Sequence, residues 1–317
     1  MDAVPRKFVD STVELFSRNT LDRLAWEVRH PQWEPIVNLH YRNRVCYEVE
    51  FYHAEGGIKY RLWKINGGAD RSASLQSLRK NRRFARIGKI SDQKRQYLGV
   101  APLGEAPTAK LLESIVPFID QFSGIFDSFL GSSDFSRLTS IFRRAYFRDI
   151  SLFYCGQIAY DFLEEQINNS PFLSDVQVLG PEWPKSSLDL MKKFCLKGRP
   201  GKHVRAHMAG SNLLVDSSYI DHFFLLWNTS GNVNFSLTFI QYGTFELPTR
   251  IPTRTHMSLE LQTVMCSDSF GNFFKHKTKK SVTRISNDTS LMECYICECS
   301  RFEKCLLKER YPKVHNF

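Results

Sequence analysis

The sequence predicts an α/β fold made of a short helical N-terminal unit, a β-hairpin and a run of strand–helix modules closed by a second hairpin. Three observations carry this. Apolar positions recur at helical spacing through the first forty residues. The period then changes to strict alternation at Val45, Tyr47, Val49 and Phe51. Further along, predicted strands return at near-constant intervals: from Ile150 to Val176 is 26 residues, from Val176 to Val204 is 28, and from Val204 to Phe235 is 31.

Residues 1–44 form the helical unit. Phe8, Val9, Val13, Leu15 and Phe16 mark a first helix. Asn19-Thr20 offers an N-cap for a second, whose stripe is Leu21, Leu24, Ala25 and Val28. His30-Pro31 stops it, because the residue before proline is pushed out of the helical region. A third helix carries Trp33, Ile36, Val37 and His40 on one side. Residues 45–108 contain a hairpin, with turn residues Gly56-Gly57, followed by a connector with short strands.

The strand–helix modules fill residues 109–260. Strands are expected at 149–154, 175–179, 203–208 and 234–240, and helices at 158–167, 184–196 and 216–227. One strand and one helix cannot bury their apolar faces alone, so stacked modules must share a core. A period of this size fits an irregular leucine-rich-repeat-like solenoid, although the strict Leu-x-x-Leu-x-Leu-x-x-Asn signature is absent. An ordinary α/β domain with a flat parallel sheet is the competing reading. Residues 243–260 read as a loop. Residues 261–317 hold a terminal hairpin around Asn287-Asp288-Thr289-Ser290 and a cysteine-containing tail.

Composition narrows the function classes. The chain of 317 residues carries 25 Phe, enough large apolar side chains to build a core and to exclude global disorder. A formal net charge of +10 favours an acidic partner, whether nucleic acid, anionic lipid or an acidic protein face. No apolar leader opens the sequence, so an intracellular protein, cytoplasmic or nuclear, is expected. The longest apolar-leaning stretch, Leu111 to Leu130, is broken by Glu113, Asp120, Gln121 and Asp127, so no membrane partner is expected. The eight cysteines are then expected as thiols or metal ligands rather than disulfides.

Cys294, Cys297, Cys299 and Cys305 are the sharpest local cluster, and thiolates this close are zinc-ligand candidates. Against a metal, no second Cys-x-x-Cys pair lies at zinc-finger distance. On a strand Cys294 also points to the face opposite Cys297 and Cys299. His276 and His315 reach the cluster only through folding. Structural thiols are therefore the expectation, with no metal and no cofactor. Basic clusters lie at 79–89, 192–205 and 275–280. Without interleaved stacking aromatics they read as solvated surface, with nucleic-acid binding as the alternative. His203 and His207 fall on one face of a predicted strand and read as structural. No nucleophile elbow, phosphate loop or His-Glu-x-x-His helix is present, so no catalysis is expected.

The opening, Val4-Pro5-x-x-Phe8-Val9-Asp10 through Leu15-Phe16, Thr20-Leu21-x-x-Leu24-Ala25 and Trp33, resembles a divergent F-box. Ser217-Ser218-Tyr219-Ile220-x-x-Phe223-Phe224-x-x-Trp227 before a strand resembles the associated domain of nematode-expanded F-box proteins. The tail from Cys297 to Pro312 is similar to that of further nematode proteins of this kind. Phe8 and Val9 stand where leucines are usual, and Arg29-His30-Pro31 replaces the usual step before Trp33. The resemblance implies a substrate-recognition subunit of a cullin-type ubiquitin ligase. Pro5, Phe8, Val9, Leu15 and Leu21 would meet the small ligase adaptor, and the repeats would hold a substrate protein.

Overall fold

The computed structural model describes residues 4–54, 57–65, 74–93, 110–111, 113–128, 139, 142–143, 145–210, 213, 215, 217–240, 263–264, 272–286 and 291–317. The chain divides into two compact units, Met1–Leu173 and Ser174–Phe317, both mixed α/β. The division falls within the stretch read from sequence as one array of modules.

The first unit opens with three helices: α1 (Arg6–Glu14), α2 (Arg18–Glu27) and α3 (Glu34–Asn43). Their shared core is Val9, Val13, Leu21, Ile36 and Val37, with Phe16, Leu24, Ala25 and Trp33 packed against it. The cap of α2 is Ser17 rather than Asn19-Thr20: its Oγ accepts the Thr20 N–H at 3.2 Å, which draws Asn19 and Thr20 into the first turn. Arg44 is buried and donates from Nη2 to the Glu14 carbonyl (2.9 Å) and the Val13 carbonyl (3.4 Å). Both carbonyls lie in the last turn of α1, where the Val13 oxygen also accepts the Phe16 N–H at 3.1 Å, so a cation there adds hydrogen bonds and complements the helix dipole.

His40 is fully buried on α3, with Nε2 2.8 Å from Asp10 Oδ1 and its ring edge-on to Phe84. Burial, and then the nearby Arg44 charge, hold its pKa below the ordinary 6.5 despite Asp10. A base whose folded pKa is depressed is neutral in the native state while the unfolded chain still takes up a proton. Its contribution is therefore complete above about pH 6.5 and is lost as pH falls from there towards the folded pKa. Denaturant midpoints should fall as pH is lowered from 6.5 to 5, and His40→Gln should flatten that slope.

The sheet of the first unit runs β2-β1-β3-β4-β5. β1 (Val45–Ala54) and β2 (Gly57–Lys64) form the expected antiparallel hairpin. β1 also pairs in parallel with β3 (Ala85–Gln93), reached through the short α4 (Leu75–Lys80). β3 thus gives a nine-residue strand to a stretch that reads from sequence as a connector with short strands. The register slips between Tyr47↔Ile87 and Glu48↔Lys89, leaving Gly88 as the extra residue of a bulge. β4 (Ile125–Asp127) and β5 (Asp149–Phe153) continue the parallel pairing, and α5 (Gln157–Asn169) follows. Phe126 sits at the middle of the core, with ring centroids 4.8 Å from Phe162, 5.2 Å from Phe147 and 6.0 Å from Phe142.

In the second unit the strand order is β6-β7-β8-β12-β11-β10-β9. β6 (Asp175–Leu179), β7 (Val204–Ala209) and β8 (Phe235–Ile240) are parallel neighbours in chain order, as the spacing predicts. The crossovers are α6 (Ser187–Cys195) and α7 (Ser217–Ser230). Both helices cover one face, because the Tyr219 hydroxyl of α7 donates to the Leu188 carbonyl of α6 at 2.7 Å. Val176, Val178, Val204, Ala206, Met208, Phe235, Leu237 and Phe239 are buried. After α6 the chain presses against the segment leading into β8. A Cβ on Gly198 would lie 2.0 Å from the Asn234 carbonyl oxygen, so only glycine fits.

β9 (Thr263–Val264), β10 (Asn272–Lys275), β11 (Ser281–Ser286) and β12 (Leu291–Ile296) extend the sheet in antiparallel sense, with β12 seated on β8. β11 and β12 are the predicted terminal hairpin. Residues of β12 alternate between two layers. Met292 and Cys294 pair with Leu237 and Phe235 and are fully buried; Cys294 lies near Cys195 of α6. Tyr295 instead belongs to a core formed with the tail, which includes α8 (Leu306–Arg310): Phe273, Val282, Cys305, Leu307 and Val314. The loop expected at 243–260 and the turn residues 287–290 lie outside the described residues.

Candidate functional site

The face of β6-β7-β8 opposite the helices is polar. Asp175, Gln177, Arg205, His207 and Thr238 alternate with the buried residues and, with Arg310, line a cleft of about 430 Å³. Strand alternation alone puts them there. Arg205 Nη2 holds Asp175 Oδ2 at 2.7 Å. His203 stands just before β7 on the same side. Its Nδ1 is 2.8 Å from Asn234 Oδ1, its Nε2 is 3.0 Å from Ser236 Oγ, and its ring stacks on Tyr295. Burial pushes the pKa of both His203 and His207 down, so neutral imidazoles stand on this face at neutral pH.

One edge of the cleft rests on Glu293, a buried carboxylate. It accepts from Tyr295 Oη (2.9 Å), Arg284 Nη1 (3.0 Å), Arg310 Nη1 (3.2 Å), Ser236 Oγ (3.3 Å) and the Tyr311 hydroxyl. Burial by itself would raise its pKa, but the hydrogen bonds from Tyr311, Tyr295 and Arg284 outweigh burial and hold it below the ordinary value. The network orients Arg310 toward the cleft and keeps a fixed negative charge beneath it. The carboxylates Asp175 and Glu293 are each paired with arginine, an arrangement suited to recognising polar groups by charge and hydrogen bonding.

The first unit presents a different surface. Of the five residues predicted to meet a ligase adaptor, Val9 and Leu21 are fully buried in the three-helix core. Pro5, Phe8 and Leu15 are exposed, Phe8 at 58% and Leu15 at 60%. Helical spacing puts Pro5, Phe8, Thr12 and Leu15 in one stripe. Trp26 on α2 is 73% exposed, a large apolar surface residue that the residue pattern did not single out. Helical periodicity marks which residues are apolar but not which of two adjacent stripes the core uses.

The cysteine candidates separate. Cys294 is buried on the helix side of β12, as strand parity predicts. Cys297, Cys299 and Cys305 converge at the end of β12 with His315, their ligand atoms all within 4.8 Å of one another. His276 is engaged elsewhere, its Nε2 3.0 Å from the Asn228 carbonyl. His315 is 16 residues beyond Cys299, so no local spacing advertises it. The described cysteines are free thiols.

Much of the basic cluster at 79–89 is committed to carboxylates of its own unit. Arg83 pairs with Asp10 at 2.5 Å, Arg86 with Glu14 at 3.2 Å, and Lys89 with Glu48 at 3.1 Å and Asp127 at 3.3 Å. Among the described residues no helix is long and apolar enough to cross a membrane. Comparisons of the chain with protein-family models, curated proteins and solved structures return no match.

Proposed function

We propose that this chain is a non-enzymatic protein-binding adaptor, the substrate-recognition subunit of a cullin-type ubiquitin ligase. In this reading the first three helices act as the F-box-like unit and the strand–helix modules as an irregular leucine-rich-repeat-like scaffold. The observation that carries it is the division of labour on α1. Val9 and Val13 complete the helical core, while Pro5, Phe8 and Leu15 form a second apolar stripe left at the surface. A helix with one apolar face buried and another exposed is suited to helix-in-groove docking. The small adaptor subunit of the ligase is the occupant that the resemblance of the opening implies. The polar cleft of the second unit is the surface offered to a substrate protein.

The test is titration of the full chain with a cullin-ligase adaptor. Phe8→Ala with Leu15→Ala should weaken binding by roughly 30- to 1,000-fold, each anchor contributing roughly 1–2 kcal/mol. The unfolding midpoint should stay unchanged, because neither side chain belongs to the core. Absence of adaptor binding at micromolar concentration by the folded wild-type chain would sink the ligase assignment. Binding to RNA or DNA that falls steeply with salt would instead favour the nucleic-acid alternative.

A further inference from the structure

We infer that Cys297, Cys299, Cys305 and His315 bind one zinc ion, which fastens the C-terminal tail to the end of β12. The His315 Nε2 lies 3.2 Å from Cys297 Sγ and 3.1 Å from Cys299 Sγ, and the four ligand atoms span no more than 4.8 Å. Tetrahedral zinc, with bonds of about 2.3 Å to sulfur and about 2.0 Å to nitrogen, sets its ligands roughly 3.5–3.8 Å apart. The cluster is therefore already close to the edges of one tetrahedron, and sub-ångström to one-ångström adjustments complete it.

Three thiols and an imidazole have little reason to meet otherwise. Thiols are weak hydrogen-bonding groups that gain mainly from burial, yet Cys299 is exposed. A soft donor set of three sulfurs and one nitrogen selects zinc over magnesium or calcium. The surroundings suit the charge. Binding displaces three thiol protons and leaves neutral His315, so the filled site carries one net negative charge. Lys308, Lys280 and Lys275 act electrostatically on His315 and offset that charge. The Glu298 backbone N–H points at Cys305 Sγ at 3.4 Å, an outer-shell contact of the kind that orients thiolate ligands.

The ligands join three parts of the tail. Cys297 and Cys299 follow β12, Cys305 is the N-cap residue of α8, and His315 lies beyond Val314, which is buried in the tail core. The ion closes the path from β12 to the chain end around α8, and so holds Arg310 and Tyr311 over Glu293. This assignment stands independently of the adaptor reading.

The experiment uses the full chain, purified under reducing conditions and analysed for metal by mass spectrometry. One zinc per chain is expected. After chelation, cobalt(II) should give a visible absorption spectrum of tetrahedral type together with sulfur-to-metal charge transfer. Cys299→Ser and His315→Ala alter positions outside the buried core. Each should weaken zinc binding by more than the roughly 10- to 100-fold typical of losing an outer-shell partner. Cys294→Ala should leave the stoichiometry at one. Three results would each overturn the assignment: a folded, reduced wild-type chain that takes up neither zinc nor cobalt at micromolar concentration, loss of binding in Cys294→Ala with retention in His315→Ala, or an octahedral cobalt spectrum.

Discussion

Glu293→Ala should lower stability by about 3–5 kcal/mol, the usual consequence of removing one partner from a buried ion pair. The carboxylate is 4% exposed and accepts hydrogen bonds from two arginines and two tyrosines. Truncation leaves the Arg284 guanidinium, whose side chain is only 12% exposed, without that counter-charge. Glu293→Gln keeps the shape and one acceptor and should fall between the two. The acid limb of the stability curve provides a second readout. Because the folded pKa of Glu293 is depressed below 4.5, its contribution is present above that value and is lost as pH falls through the folded pKa. Glu293→Ala should remove that part of the acid dependence. Chemical denaturation from pH 7 down to pH 3 measures both, and a wild-type-like midpoint in Glu293→Ala would contradict the network described above.

Phe126→Ala should cost a similar amount, about 3–5 kcal/mol, through lost burial and the cavity left among three phenylalanines. The residue is fully buried and its ring packs against those of Phe142 and Phe147, just before β5, and of Phe162 on α5. Phe8→Ala, by contrast, should stay within about 0.5 kcal/mol, since exposed truncations touch no core. Two substitutions of the same residue type in the same unit, compared by thermal or denaturant unfolding, therefore separate a core position from a docking position. If the two costs prove equal, the surface assignment of Phe8 fails.

The parts of the fold legible in the sequence were those with an unbroken period. β1 alternates cleanly, and the helical stripes of α1 to α3 and α5 to α7 are continuous. β6, β7 and β8 fall where their spacing puts them. The position and length of β3 are hidden because its period breaks. Ala85 and Ile87 are buried on one parity, but the bulge at Gly88 moves the next buried residue to Ile90, and Arg86, Gly88 and Lys89 occupy the gaps. β4 has three residues, too few for a pattern to register. The parallel pairing therefore already starts at β1, well upstream of the regular spacing that announces it. At the sites, parity on β12 separated Cys294 from the other cysteines in advance. The convergence of His315 depends on how the tail folds back, and the split of Val9 and Leu21 from Phe8 and Leu15 depends on where α2 and α3 pack. Neither is written in local spacing.

The double duty of β12 has a consequence for how this chain can change over time. One strand supplies greasy groups to the helix layer with its even-numbered residues, and a charged cluster to the tail layer with its odd-numbered ones. Substitutions can be absorbed one layer at a time. A lost or gained codon cannot, because a slip by one position exchanges both sets at once. It would drive the Glu293 carboxylate in beside Phe235 and turn Cys294 outward beneath Tyr311. Length variation should therefore be purged from this strand while its side chains drift.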